Sequence, residues 1–399
     1  MPAPSMDKRQ LFAICICFCL MVFEATLTLG VMPVHVVRLG ADPAATGLYM
    51  AFSFFGATVG NILGGWLTDR IGQRKRIALI GYLLWIPAAL LLTQATTVIG
   101  VILVSGLMWL PGGIAIAALN TIVGLSAGPN ERGRIFGFVA LASGTGGLIA
   151  GLIGGSIAER WGFPVLFVIM AVVAFVMLLI TSTIRDVATQ SNDTKLPLQS
   201  ETDVPMVVSV GVGILVYMLL LANFFARLGP TVSDLGRPLV MLQLKMNATD
   251  VSRAIAFSAA VTLPLPLLLG WLSDRVGRKR LLIVFYGFAA AGILLLSMAT
   301  AHWHFWLSAA LVSFVNASNG VGQAYVTDLS DAKIIGRSLS LFTSSNLIAS
   351  MIGLGGAGYV MQGIGINPAL LLGVSSLVIA MIFLLRMRPE APKLAGDMM

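Results

Sequence analysis

One carboxyl group stands in the middle of the first long apolar run of this 399-residue chain. Glu24 lies within residues 11–38, and a charged side chain at the centre of a membrane span costs about 2.5–3.5 kcal/mol. Burial disfavours the charged form and a nearby cation stabilises it, so a carboxyl balanced between the two can take up and release a proton. Thr28 and His35 follow at helical spacing on the same face. Glu24 is a candidate proton carrier; the alternative is a structural hydrogen bond or salt bridge.

A second set of polar residues lies in the seventh apolar run, over residues 207–243. Arg227 falls at about the depth of Glu24 when the prolines near the outer ends of the two runs are aligned. Asn223 precedes it by one helical turn, and Asp234 follows by seven residues, beyond a Gly-Pro pair that predicts a bend. Arg227 is a candidate for binding a solute anion, or for an ion pair with Asp234 or Glu24. Asp234 is a second candidate for proton coupling.

Two further apolar runs carry polar stripes at helical spacing. Trp109 and Asn120 share a face of residues 97–126, and Asn316 and Gln323 share a face of residues 304–327. Their amides are candidate contacts for a solute. Buried amides also join membrane helices, at about 0.6 kcal/mol each, so a purely structural role is the alternative.

The composition excludes an ordinary soluble domain. Hydrophobic residues make up 57% of the chain and charged residues 11%, whereas soluble domains are about 25% charged. Apolar runs of about 20 residues predict an all-α polytopic membrane protein. Twelve spans are expected, over residues 11–38, 44–67, 77–94, 97–126, 135–158, 163–184, 207–243, 251–273, 281–299, 304–327, 337–361 and 366–386.

The distribution of cations predicts the orientation of these spans. With the N-terminus inside, 19 of the 25 Lys and Arg residues fall in inner segments, whereas the outer loops hold Arg38, Arg160, Lys245 and Arg253. The positive-inside rule then places both termini in the cytoplasm, with the chain in the cytoplasmic (inner) membrane. The net charge of +8 thus reflects topology, and no nucleic-acid partner is expected.

The sequence offers no support for catalysis or for a bound cofactor. It contains no nucleotide-binding loop, dinucleotide fingerprint, metalloprotease helix or serine-nucleophile elbow. Cys15, Cys17 and Cys19 all lie in the first span. They are interpreted as small buried apolar residues rather than as a soft-metal site. No metal, cofactor or catalytic residue is therefore predicted.

A basic loop between the second and third spans is repeated between the eighth and ninth. The first copy runs over residues 64–76 and the second over residues 270–280. Tryptophan suits the membrane interface, the cations suit the phosphate layer and the glycines permit a tight reversal. The aspartates are available to pair with a neighbouring arginine or with the positive end of the next helix. The residues singled out are Gly65, Asp69, Arg70, Gly72 and Arg74, and Gly270, Asp274, Arg275, Gly277 and Lys279.

This doubled pattern, G-x-L-[ST]-D-R-x-G-[RQ]-[RK]-[RK], resembles the signature loop of the major facilitator superfamily. The resemblance implies two pseudo-symmetric six-helix bundles, over 1–184 and 206–399, joined by a cytoplasmic linker at 185–205. It also implies a central cavity lined by spans 1, 4, 7 and 10, and alternating access stabilised by the basic loops. The fifth span departs from the family's antiporter motif because Leu152 stands at the proline position. The glycines there are interpreted as helix-packing residues.

The resemblance implies a secondary transporter of a small organic solute, and Glu24 adds the expectation of proton coupling. The alternatives are a passive facilitator of an organic anion or zwitterion, a drug or metabolite exporter, and, remotely, a membrane sensor that transports nothing. The expected partners are the solute, protons and membrane lipids, and the expected oligomeric state is a monomer.

Overall fold

The computed structural model describes residues 7–126, 132–186, 213–330 and 335–387, and every regular element within them is helical. The helices reproduce the twelve predicted spans in order. Span 1 is Lys8–Thr26, a π-helical turn at Leu27–Val31 and Met32–Arg38; the others are Pro43–Ile71 (span 2), Arg74–Leu91 with a 3-10 turn at Leu92–Gln94 (span 3), Val98–Ser126 (span 4), Arg132–Trp161 (span 5), Phe163–Thr183 (span 6), Ile214–Gln243 (span 7), Ala248–Thr262 and Leu265–Val276 (span 8), Arg278–Ser297 (span 9), His302–Ala317 and Asn319–Leu329 (span 10), Ile335–Ile364 (span 11) and Ile366–Arg386 (span 12).

Ten of these spans, within the described residues, are long and apolar enough to cross a membrane as single segments. Spans 8 and 10 are instead each divided into two shorter helices. The break in span 8 coincides with Pro264, which lacks the amide hydrogen that a continuous helix requires. Span 7 is one uninterrupted helix despite Pro230. Most of the predicted linker, from residue 187 onward, lies outside the described ranges.

The chain forms two pseudo-symmetric six-helix bundles, and the turns repeat between them. Gly72 and Gly277 follow spans 2 and 8 with φ of 69° and 93°, and Gly162 and Gly365 follow spans 5 and 11 with φ of 83° and 96°. Such backbone angles strain any residue with a Cβ, which is why glycine stands at all four turns. Turns at equivalent positions of the two bundles are therefore formed by the same residue type with a positive φ.

Glycines bring spans 2 and 4 into backbone contact inside the first bundle. A Cβ at Gly56 would overlap the carbonyl oxygen of Gly106, and one at Gly60 would overlap that of Leu110. Gly64 meets the backbone of Ile114 in the same way. The glycines of span 2 therefore serve close helix packing.

The two bundles meet at the face opposite the basic loops, which we call the outer face. Span 2 crosses span 11 where Gly47 lies against Gly358, and span 5 crosses span 8 where Gly155 lies against Ala248. Among the described residues, the hydrogen bonds between bundles lie on this side. They include Gly155 N–H to Ser252 Oγ (3.0 Å), Ala248 N–H to Glu159 Oε1 (2.7 Å) and Gln362 Nε2 to Asp42 Oδ2 (2.9 Å).

A substitution in span 2 tests the packing directly. Gly60→Ala should destabilise the protein by about 1–3 kcal/mol, because the added methyl group overlaps the backbone of span 4. The matched control is Gly65→Ala, since a Cβ there meets nothing within 4 Å. Thermal melting of the purified proteins in the same detergent compares them. Equal midpoints for the two variants would show that the crossing is looser than described.

Candidate functional site

A cavity between the bundles extends from the outer-face contact toward the basic loops, and two of its lobes meet at Arg227. The outer lobe, of about 330 Å³, is lined by spans 1, 2, 7, 8, 10 and 11. The inner lobe, of about 420 Å³, is lined by spans 7, 9, 10 and 11, together with Phe54 of span 2. Phe54, Arg227 and Asn316 line both lobes. These three residues therefore mark the junction.

Arg227 is held at this junction by neutral partners. Its Nε donates to Ser350 Oγ at 3.2 Å, and its Nη1 donates to Asn316 Oδ1. An arginine in a protein stays protonated. Within the described ranges no carboxylate forms an ion pair with it, so the predicted pair with Asp234 or Glu24 is not present in this conformation. The positive charge is therefore positioned by neutral hydrogen-bond partners, while Asp234 acts on it electrostatically from a greater distance.

Asp234 also lines the outer lobe, but its ionic partner is Arg237. Arg237 Nη1 lies 3.7 Å from Asp234 Oδ1, and Arg237 Nη2 donates to Ser233 Oγ at 3.1 Å. The Asp234 side chain remains 43% exposed, whereas that of Arg237 is 8% exposed. Arg237 was not among the candidates predicted from the sequence. It could have been found as a second cation within an apolar run, three residues after Asp234 and therefore on the same helix face.

A chain of amides joins spans 7, 11 and 10 beside the inner lobe. Asn223 Nδ2 donates to Ser345 Oγ at 2.8 Å and to Asn346 Oδ1 at 3.0 Å. Asn346 Nδ2 in turn donates to Asn319 Oδ1 at 3.2 Å. Asn319, Asn346 and Ser350 were missed from the sequence, although four consecutive polar residues, 343–346, interrupt the apolar pattern of span 11.

Glu24 is fully buried inside the first bundle and does not reach either lobe. Neither of its carboxyl oxygens has a hydrogen-bond partner among the described residues. The cavity wall of span 1 is formed by other residues of the same turns, including Ala25, Thr26 and Leu29. An unpaired carboxylate in such a place would cost several kcal/mol. The surroundings therefore suit a neutral carboxyl group in this conformation.

The remaining polar candidates of the first bundle also lie away from the two lobes. Thr28 is buried, where its Oγ1 donates to the Glu24 carbonyl (2.8 Å) and its own carbonyl accepts from Tyr49 Oη (2.6 Å). His35 packs between Phe163 and Phe167, with ring centroids 4.4 and 5.5 Å away. Trp109 packs on Trp85 at 5.7 Å.

Two other predicted contacts, Asn120 and Gln323, are exposed and lie outside both lobes. The structure thus brings together Asn223, Arg227, Asp234 and Asn316 from the sequence-derived set. The four share the cavity, and all belong to the second bundle.

Each basic loop is tied to the last helix of its own bundle. Lys75, the second residue of span 3, donates from Nζ to the Ser182 carbonyl at 2.5 Å; Lys279, the second residue of span 9, donates to the Met387 carbonyl at 2.5 Å. Arg278 pairs with Asp328 at 2.6 Å, so a charge at the inner end of span 10 joins the second loop. These bonds make each loop move with its bundle.

The first loop presents the predicted residues on its surface. Asp69 and Arg70 are exposed, and the Arg70 guanidinium lies 5.2 Å from the centre of the Trp66 ring. Gly72 ends the helix, while Gly65 faces open space. Arg74 and Arg275 each interact with another residue. For Gly270 and Asp274 the structure describes the backbone, which belongs to span 8. In the described ranges, no three His, Cys, Asp or Glu side chains cluster to hold a metal ion.

Comparison with known proteins agrees with the two-bundle helical fold described above. The sequence model of the Major Facilitator Superfamily matches the chain twice, over residues 14–229 and 219–397. No protein of curated function matches the sequence.

Solved structures show the same fold at low sequence identity. The nucleoside transporter NupG is 15% identical, with a TM-score of 0.76 over 96% of this chain and 100% of that chain. A D-xylose-proton symporter is 17% identical, with a TM-score of 0.77 over 96% and 98%. A bacterial homolog of the human lysosomal transporter Spinster, in an inward-facing and unoccupied conformation, is 17% identical, with a TM-score of 0.72 over 94% and 95%.

The burial of Glu24 leads to a stability prediction. Because a neutral, unpaired carboxyl and an amide have similar shape and polarity, Glu24→Gln should lower the unfolding free energy at pH 7 much less than Glu24→Ala does. Glu24→Ala leaves a cavity and should be clearly less stable. Thermal unfolding of the purified variants distinguishes them. A large loss for the glutamine variant would reveal an ionised Glu24 with an essential partner.

Proposed function

Because the chain belongs to the Major Facilitator Superfamily, and is therefore a membrane transporter rather than an enzyme, we propose that it moves a small organic solute by alternating access. The cavity between the bundles carries this proposal, since the bundles meet on its outer side and it holds an arginine whose direct hydrogen-bond partners are neutral. The solute binds at the junction of the lobes. The bundles then tilt so that the outer face opens and the basic loops approach.

The charges of the cavity favour a solute that is an anion or a zwitterion. Arg227 and Arg237 oppose the single carboxylate of Asp234, so the ionised wall carries one net positive charge. A positive group in a low-dielectric cleft attracts an anionic solute. Asp234, which is partly exposed, can contact an ammonium group or a hydrogen-bond donor of the same solute.

Proton coupling through Glu24 is the mechanism we favour. Glu24 lies just before the π-helical turn of span 1, and the next residues along the chain line the cavity. A π-helical turn often marks a functional site. Movement of span 1 during the transition can expose the carboxyl to water, where it loses the proton that burial retains. Asp234 is the second candidate, because its pair with Arg237 lies directly in the cavity wall.

A passive facilitator is the alternative, and the position of Glu24 outside both lobes favours it. In that case Glu24 has only a structural role and the solute moves down its own gradient. An exporter driven by exchange has no specific observation in its favour.

The orientation of the chain in the membrane and its oligomeric state are part of the same proposal. The positive-inside rule supports a cytoplasmic location for the basic loops and both termini in the cytoplasmic membrane. The cavity would then extend toward the cytoplasm. We propose a monomer in contact with lipids, because each chain contains both bundles and the complete cavity between them.

Coupling is tested in proteoliposomes with a panel of labelled organic anions and zwitterions. Proton coupling predicts uptake that a pH gradient accelerates, and Glu24→Gln should reduce gradient-driven uptake at least tenfold while preserving exchange of solute at equal pH. Asp234→Asn is the comparison for the second candidate. Uptake by Glu24→Gln that still responds fully to the pH gradient would assign the coupling elsewhere.

A reversible cross-link tests alternating access. A Cβ at Gly355 would lie 3.6 Å from Cβ of Ala51, within the range of a disulfide. In a background without the three native cysteines, Ala51→Cys with Gly355→Cys should transport solute when reduced and lose transport when oxidised, because the outer face cannot open. Each single-cysteine variant is the control. Undiminished transport by the fully oxidised double variant would contradict the mechanism.

A further inference from the structure

The outer lobe of the cavity has one charged wall and one apolar wall. Its ionic groups, among the described residues, all project from span 7: Arg227, Asp234 and Arg237. The facing surface is formed largely by Leu29 of span 1, Met50 and Phe54 of span 2, Ile255 of span 8 and Leu354 of span 11. A solute that fills this lobe must therefore present an apolar surface to one side and its charge to the other.

In the inner lobe, neutral polar side chains outnumber charged ones. Arg227 is the only ionic residue among the described residues that line it, and asparagines and hydroxyl groups supply most of its polarity. The amide hydrogens of Asn223 and Asn346 are used within the protein. Asn316 and Asn319 only accept hydrogen bonds in this network, so their amide N–H groups are available. Available donors fit a neutral solute group that accepts hydrogen bonds.

Arg227 lies between these two environments, since it lines both lobes. The order across the site is the apolar wall of the outer lobe, a fixed positive charge, and the amide hydrogen-bond donors of the inner lobe. A carboxylate is a planar acceptor that matches a guanidinium group. The anionic group of the solute should thus lie between an apolar body and a neutral acceptor, rather than at one end.

We propose that the solute is an organic carboxylate with an apolar body on one side of the carboxylate and a neutral hydrogen-bond-accepting group, such as an amide, on the other. The carboxylate binds Arg227, the apolar body contacts Phe54 in the outer lobe, and the acceptor faces Asn316 and Asn319. This inference rests on the proposed function and specifies its substrate class.

Four compounds separate the contributions of the carboxylate, the apolar body and the amide to binding. N-acetyl-L-phenylalanine has all three groups; N-acetyl-L-alanine lacks the apolar body, 3-phenylpropanoate lacks the amide, and N-acetyl-L-phenylalaninamide lacks the charge. Binding to the purified full-length protein is measured by calorimetry and by thermal shift, because a ligand of the folded state raises the melting temperature. The complete compound should bind best, and loss of any one group should weaken binding on the order of tenfold or more.

Matched variants locate each group. Phe54→Leu should weaken binding of N-acetyl-L-phenylalanine more than that of N-acetyl-L-alanine, whereas Phe55→Leu, at a neighbouring position 46% exposed, should alter neither. Arg227→Gln should abolish the preference for the carboxylate over the amide compound. If that variant is unstable, Arg227→Lys replaces it and should retain the preference with weaker binding.

Two results would overturn the inference: binding that is equal across the four compounds, or no binding by any of them. If the four fail while another solute is transported in proteoliposomes, the substrate class is wrong and the transport function stands. If no organic anion or zwitterion is transported at all, the proposed function itself fails.

Discussion

The structure depends on backbone contact between the two bundles at the outer face. Apolar side chains gain little by leaving lipid for protein, so membrane helices associate through close packing at small residues. Gly47 against Gly358 and Gly155 against Ala248 provide that packing, and a few hydrogen bonds, such as Ala248 N–H to Glu159, supplement it. Contact of this kind closes one end of the cavity at two helix crossings. In the proposed mechanism this closed state is exchanged for one in which the bundles meet at the basic loops.

The two bundles contribute differently to the cavity. The second bundle supplies Arg227, the Asp234–Arg237 pair and the amide chain, whereas the first supplies mainly an apolar surface. Glu24 is buried in the first bundle and lines neither lobe. In the proposed mechanism, a solute at Arg227 touches both bundles through different chemistry, and a proton on Glu24 influences it through movement of span 1. The proposed solute site and protonation site can then coexist without forming an ion pair.

The sequence was sufficient for the fold because a repeated loop and twelve apolar runs are local patterns. It also identified Asn223, Arg227, Asp234 and Asn316, since polar residues within apolar runs are conspicuous. It did not distinguish which face of span 1 meets the cavity, because both faces are apolar around Glu24 and the π-helical turn changes the register beyond it. Asn346 and Ser350 were missed because their role depends on span 11 lying beside span 7, which is a tertiary contact. The break in span 10 at Ser318 was not predicted, because no proline occurs there.

In the proposed mechanism, the two bundles exchange contact at the outer face for contact at the basic loops. Spin labels at the exposed, pseudo-equivalent positions Trp161 and Ile364 report the outer face, and labels at Ile71 and Val276 report the basic loops. Distances measured by pulsed electron resonance, in nanodiscs and across a range of pH and solute, should show two populations at each pair. The account predicts that conditions that lengthen the outer distance shorten the inner one. Distances that stay fixed, or that lengthen together, in a protein that transports solute would contradict it.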